Sequence, residues 1–151
     1  MKVQLPPFGL LVERHGNELL AYARRLSGDS AEDVLHDALL RALRAYPKVQ
    51  HAQHLRAWLY RITTTTAFDH GRSRRDLPVA NVPESAAEPN YDDGAFEELL
   101  APLSENARRA MELRFVEDLS YDQIARRLRC TPQAARQRVS TAVRALRKEM
   151  T

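Results

Sequence analysis

Apolar residues recur three and four positions apart along almost the whole of this chain, and that spacing folds into amphipathic helices. Phe8, Leu11, Val12, Leu19, Ala23 and Leu26 form the first series, which Gly28 ends. Val34, Leu35, Ala38, Leu39, Ala42 and Leu43 form the second and are expected to cover one buried arc. Ser30, with Asp33 three residues on, is a weak capping box in front of it, and Pro47 stops it. After a loop over residues 48–53, Leu55, Trp58, Leu59 and Ile62 mark a third helix reaching Phe68, despite the helix-poor threonines at 63–66. Arg72, Arg74 and Arg75 close this half.

The periodicity then lapses. Residues 76–94 hold Pro78, Pro83, Pro89 and five acidic residues, with no Lys or Arg, and read as a flexible acidic linker. Beyond it Phe96, Leu99, Leu100 and Leu103 suggest a short helix, and Ser104 caps another that carries Ala107, Met111 and Phe115. Ser120 with Gln123 is a good capping box for a helix ending near Leu128. Thr131 followed by Pro132 is a strong start for the last helix, because proline at the first helical position loses no needed hydrogen bond. The expected fold is therefore all-α: small helical domains over 1–75 and 95–151, joined by the linker at 76–94.

Residues 120–148 have the layout of a helix-turn-helix, with a tight turn at Arg129 and Cys130. Steps of about 100° along the last helix collect Ala135, Val139, Ala142, Val143, Leu146 and Met150 on one face. Gln133, Arg136, Gln137, Ser140, Arg144 and Arg147 collect on the other. Arginine can bond bidentately to guanine, and glutamine to adenine, so the outer face suits a major groove. Gln133, Arg136, Gln137 and Ser140 lie near the helix start, the part that enters a groove; Arg144 and Arg147 suit phosphates. Arg138 falls off this face and suits the backbone or a carboxylate. Net charge is only +3, but from 126 to 148 there are eight Arg or Lys and no acid.

The second helix offers a different signal. Asp33, Asp37, Arg41 and Arg44 lie opposite its apolar arc, with Leu40 in their midst. An apolar residue rimmed by both signs of charge has the make-up of a small docking surface for a protein.

Other chemistry finds little support. Cys130 is the sole cysteine, which excludes an intramolecular disulfide and fits a reducing compartment. No stretch reads as a signal peptide or a membrane span, so a cytoplasmic location is expected. His51 and His54 are spaced as metal ligands can be, but no acidic or cysteine pair joins them. There is no Ser-His-Asp order, phosphate loop or glycine fingerprint, so neither catalysis, cofactor, metal nor small-molecule substrate is expected.

In order along nearly the whole chain, these segments resemble an extracytoplasmic-function (ECF) sigma factor of bacterial RNA polymerase. Ala31-Glu32-Asp33-Val34-Leu35-His36-Asp37-Ala38-Leu39-Leu40-Arg41-Ala42 is similar to the family stretch that grips the beta-prime clamp helices. Leu55-Arg56-Ala57-Trp58-Leu59-Tyr60-Arg61-Ile62, then Ala67-Phe68-Asp69 and the arginines, resembles the part that melts and reads the −10 element. Leu119-Ser120-Tyr121-Asp122-Gln123-Ile124-Ala125-Arg126-Arg127-Leu128 resembles the helix-turn-helix that reads the −35 element.

The resemblance implies that Asp33, His36, Asp37, Leu40, Arg41 and Arg44 face core polymerase. It implies −10 contacts from Lys48, Val49, His51, His54, Arg56, Tyr60, Arg61, Thr65, Arg72, Arg74 and Arg75. To the −35 face it adds Ser120, Tyr121 and Thr131. Implied partners are core polymerase (clamp helices and beta flap), promoter DNA and an anti-sigma factor. Arg129 stands where the family often has Gly, Gln133-Ala134-Ala135 replaces the usual Gly-Thr-Val, and Thr65 replaces a common Asn. Two rivals remain at this point: a sigma-like mimic that sequesters an anti-sigma factor, and a dimeric helix-turn-helix repressor, which would bind a palindrome without polymerase.

Overall fold

The computed structural model describes residues 4–49, 53–75 and 94–150. Among them are seven α-helices and no strand: α1 (Phe8–Ser27), α2 (Ala31–Ala45), α3 (Leu55–Arg75), α4 (Ala95–Leu100), α5 (Glu105–Phe115), α6 (Tyr121–Leu128) and α7 (Pro132–Met150). The chain is all-α, as its periodicity requires, with two helical units, α1–α3 and α4–α7. All of the expected acidic linker except Gly94 lies outside the described residues, as does His51.

Gly28 ends α1 at φ 57°, a left-handed conformation that costs glycine little. A single 3₁₀ turn, Gly28–Ser30, then leads into α2. Ser30 does not cap α2: it is buried, and its side chain makes no cap hydrogen bond. Pro47 acts as expected, since α2 stops at Ala45 and gives way to a 3₁₀ turn at Tyr46–Lys48.

Leu43 departs from the expected arc. Ala31, Val34, Ala38 and Ala42 form the buried stripe of α2, while Leu35 and Leu39 pack against it half-buried and Leu43 is 50% exposed. Each four-residue step turns the helix about 40°, so the line Leu35, Leu39, Leu43 rotates out of the core.

Helix α3 runs past Phe68 to Arg75. The threonines survive inside it because each hydroxyl donates to the carbonyl four residues back: Thr63 to Leu59, Thr64 to Tyr60, Thr65 to Arg61 and Thr66 to Ile62, at 2.7–2.9 Å. All four are buried, where an unmade hydroxyl hydrogen bond would cost about 1–3 kcal/mol. With the Thr64 hydrogen already donated, the Tyr22 hydroxyl is the donor in the 2.7 Å bond between them.

From Leu55 to Phe68 only Arg56 and Arg61 are not buried. A helix buried on every side is packed on every side. On one side lie α1 and α2; on the other lie α4, α5 and α7. The two halves thus share one apolar core, from Leu11 and Leu19 through Trp58 and Ile62 to Leu100, Val143 and Met150. Each large side chain in it contributes about 1.5–3 kcal/mol by leaving water.

Phe115, at the end of α5, is the centre of the seam. Its ring meets Tyr22 of α1 at 5.4 Å, stacks on Tyr60 of α3 at 4.9 Å and 18°, and abuts Phe96 of α4 edge-on at 6.4 Å. Gly71 marks a second close approach. A Cβ there would stand 2.8 Å from the Met150 carbonyl oxygen, so only glycine lets α7 end against α3.

Candidate nucleic-acid interface

The helix-turn-helix is built from local chemistry. Ser120 accepts from the Gln123 backbone N–H at 3.2 Å, and the Gln123 side chain accepts from the Ser120 N–H at 2.9 Å, completing the capping box of α6. Arg129 follows α6 at φ 56°, ψ 50°, where its N–H bonds the Ala125 carbonyl. Thr131 caps α7 by accepting from the Ala134 N–H at 3.0 Å, and Pro132 takes the first helical position. Leu113, Ile124, Ala125 and Ala135 form a small core beneath the turn, with Leu119, Leu128 and Cys130 packed against it.

Every apolar residue expected on the inner face of α7, from Ala135 to Met150, is buried. Gln133, Arg136, Gln137, Arg144 and Arg147 are exposed, and Arg138 and Ser140 are half-buried. Tyr121 stands beside this face: the Arg136 guanidinium lies 5.0 Å from its ring centre and the Arg114 guanidinium 4.5 Å. Arg114 also donates to the Leu119 carbonyl at 2.9 Å. Arg147 borders, with Gly28, Ser30, His70 and Gly71, a cleft between the two halves.

On α2, Leu40 is 40% exposed beside the exposed Leu43, with His36 on the same side and Asp33 and Arg44 also exposed. Asp37 and Arg41 are drawn toward α3. Arg41 reaches Asp69 at 2.6 Å and Asp37 at 3.2 Å, and Asp37 also meets His70 at 2.9 Å. Burial alone would raise the Asp37 carboxyl, but the hydrogen bond to His70 and the charge of Arg41 outweigh it and hold it below its ordinary value.

Of the residues expected at a melted strand, His54, Arg56, Tyr60 and Arg61 lie at the head of α3, whereas Arg72, Arg74 and Arg75 lie at its far end. Tyr60 is buried, donates to Glu18 at 2.8 Å and lies under the Arg56 guanidinium at 4.9 Å. Arg56 pairs with Glu18 at 2.6 Å. Burial raises the Glu18 carboxyl less than Tyr60, His15 and Arg56 lower it, so it too stays below its usual value. His54 pairs with Asp118 at 3.1 Å, Arg61 donates to the Phe115 carbonyl, and Thr65 is buried. Lys48 and Arg72 are exposed, Val49 packs against the core, and Arg74 and Arg75 lie in the last turn of α3. Leu43, Arg114, Phe115 and Asp118 carry no motif that would mark them: Phe115 and Asp118 are set apart by Tyr60 and His54, distant in sequence, Leu43 by its exposure and Arg114 by its place over the Tyr121 ring.

Two family models match in the order of these surfaces: Sigma-70 region 2 over residues 11–76 and Sigma-70, region 4 over residues 93–146. The RNA polymerase sigma-H factor of Pseudomonas aeruginosa is 30% identical, over 95% of this chain and 86% of its own length. The chain belongs to the sigma-70 family. Within that family its relatives are of the ECF kind, and this sigma factor is a transcription initiation factor. The ECF RNA polymerase sigma factor SigL of Mycobacterium tuberculosis is 32% identical, covering 91% of this chain and 85% of the relative. The ECF RNA polymerase sigma-E factor of Escherichia coli is 30% identical, covering 92% and 84%. Among solved structures, the sigma factor RpoE in complex with the anti-sigma factor NepR from Bartonella quintana is similar at 26% identity and a TM-score of 0.48, covering 95% of each chain. Among the described residues, no helix is long and apolar enough to cross a membrane.

Proposed function

We propose that this sigma factor brings core RNA polymerase to promoters through three separate surfaces. The exposed start of α7 reads the −35 element, with Gln133, Arg136, Gln137 and Ser140 at base edges and Arg138 and Arg144 at phosphates. Ser120 and Thr131 cap the two helices beside that duplex, and Tyr121 holds Arg136 in place. The observation that carries this reading is the division of α7, apolar residues buried and Gln133, Arg136, Gln137 and Arg144 exposed, with no acid between residues 126 and 148.

The Leu40–Leu43 patch, with Asp33, His36 and Arg44, takes the clamp helices of the polymerase. An apolar pair rimmed by charge supports that assignment. The head of α3, with His54, Arg56, Tyr60 and Arg61, takes the unpaired −10 strand, where an aromatic ring under a guanidinium group suits a flipped base. In this scheme 1–75 and 95–151 are the working domains and 76–94 joins them. The protein acts in the cytoplasm, performs no chemistry of its own, and meets an anti-sigma factor when silent.

Reconstitution with bacterial core polymerase tests the proposal. Specific transcription from genomic fragments is expected, and a chain that never joins the core enzyme would refute it.

A further inference from the structure

The surface proposed for unpaired DNA is already occupied. The Tyr60 ring, Arg61 and His54 each meet residues 115–118 at the turn between α5 and α6, and Arg56, paired with Glu18 at 2.6 Å, reaches the same turn at 3.9 Å. The Phe115 ring lies nearly parallel on Tyr60, 4.9 Å between centroids and 18° apart, the arrangement a base would take. Arg61 donates to the Phe115 carbonyl, one of the helix-end carbonyls that α5 leaves without an internal partner. The Asp118 carboxylate offers one oxygen to His54 at 3.1 Å and the other to Arg56 at 3.9 Å, as a phosphate would. His54 and Asp118 both hold positive φ, 64° and 56°, so two left-handed residues meet across the seam through that pair. A strained backbone on both sides of one contact marks a contact that the surrounding fold holds in place.

We infer that residues 115–118 are an internal mimic of single-stranded DNA, seated on α3 so that the free chain excludes the melted strand until its halves part. Phe115 stands for the unstacked base and Asp118 for the phosphate. The inference rests on the proposed role of Tyr60 and adds a competitor for that site within the same chain. Occupancy is mutually exclusive, because one face of Tyr60 cannot stack on Phe115 and on a base together. Whatever draws α4–α7 away from α3, such as a duplex held by α7 on a polymerase surface, uncovers the site.

The test is fluorescence anisotropy of the full chain with a labelled ten-nucleotide single-stranded DNA rich in adenine and thymine, and with the matching duplex. Phe115→Leu removes the stacked ring without changing charge. Gly71→Ala wedges the second close approach against Met150, also without changing charge, and leaves the helix-forming tendency of α3 no worse. Asp118→Ala removes the phosphate mimic from the surface. Each variant should bind the single strand more tightly than wild type, by roughly fivefold or more, with duplex binding unchanged. Adding Tyr60→Ala should abolish the gain. Circular dichroism confirms folding, and the three independent variants guard against one failing to fold. Equal affinity for wild type and variants overturns the mimic and leaves the role of Tyr60 standing. A gain that survives Tyr60→Ala also overturns it, and single-strand binding by no folded variant removes both the mimic and the proposed −10 surface.

Discussion

The guanidinium of Arg136 rests 5.0 Å from the centre of the Tyr121 ring, so the first turns of α7 receive a side chain already oriented by α6. A cation on an aromatic face gains about 0.5–1 kcal/mol at an exposed site and loses rotamer freedom before DNA arrives. Arg136→Ala or Gln137→Ala should cost about 1–3 kcal/mol of −35 binding and relax sequence choice at one base pair. Tyr121→Leu should relax the choice made by Arg136 while sparing core polymerase binding. Promoter-variant binding curves measure both, and unchanged preference would remove α7 as the reader.

Leu40 and Leu43 stand one helical turn apart on the open side of α2. Leu40→Glu places a charge where an apolar contact is expected and should weaken core polymerase binding by about 2 kcal/mol or more. Leu43→Glu should act in the same direction. Neither side chain supports the core heavily, so melting temperatures should stay near wild type. A pull-down equal to wild type would count against the patch.

Arg129 holds a left-handed conformation that costs a residue with a Cβ about 1–2 kcal/mol. Glycine avoids that strain but loses about 0.5–1 kcal/mol more backbone freedom on folding. Arg129→Gly should therefore raise stability by up to about 1 kcal/mol, read by denaturant titration. A fall in stability would mean that the arginine side chain makes up for its strained backbone.

Glu18 and Asp37 both have carboxyls held below their ordinary values. A lowered folded-state value means that the stabilisation is complete above the unfolded value, about pH 4, and fades as acid protonates the folded carboxyl. Stability should thus be flat near neutrality and fall below about pH 4. Glu18→Gln should reduce the slope of that fall in acid denaturation monitored by circular dichroism. An unchanged slope would exclude Glu18 from the acid response.

The parts of the interface that depend on neighbours along the chain were readable in advance. Ser104, Ser120 and Thr131 cap helices because a cap bonds an N–H two or three residues away. The two faces of α7 follow from 3.6 residues per turn and a core on one side. Ser30 misled because it sits in a 3₁₀ turn that buries it, and Leu43 because the drift of the wheel over about two turns carries it past the edge of the core. The helix runs through the threonines as expected, because propensity weighs a β-branched residue in water whereas here four hydroxyls are satisfied in a dry interior; only its end, at Arg75 rather than Phe68, was misread.

Helical class, caps, the basic outer face of α7 and the order of the two sigma regions were determined by the sequence itself, since each rests on residues a few positions apart. Only the tertiary structure decided that α3 is enclosed by both halves, that Phe115 lies on Tyr60, and that Asp118 faces His54 from 64 residues away. Those contacts join helices whose periodicities are independent. A periodicity specifies which face of a helix is buried, and leaves open which other helix buries it.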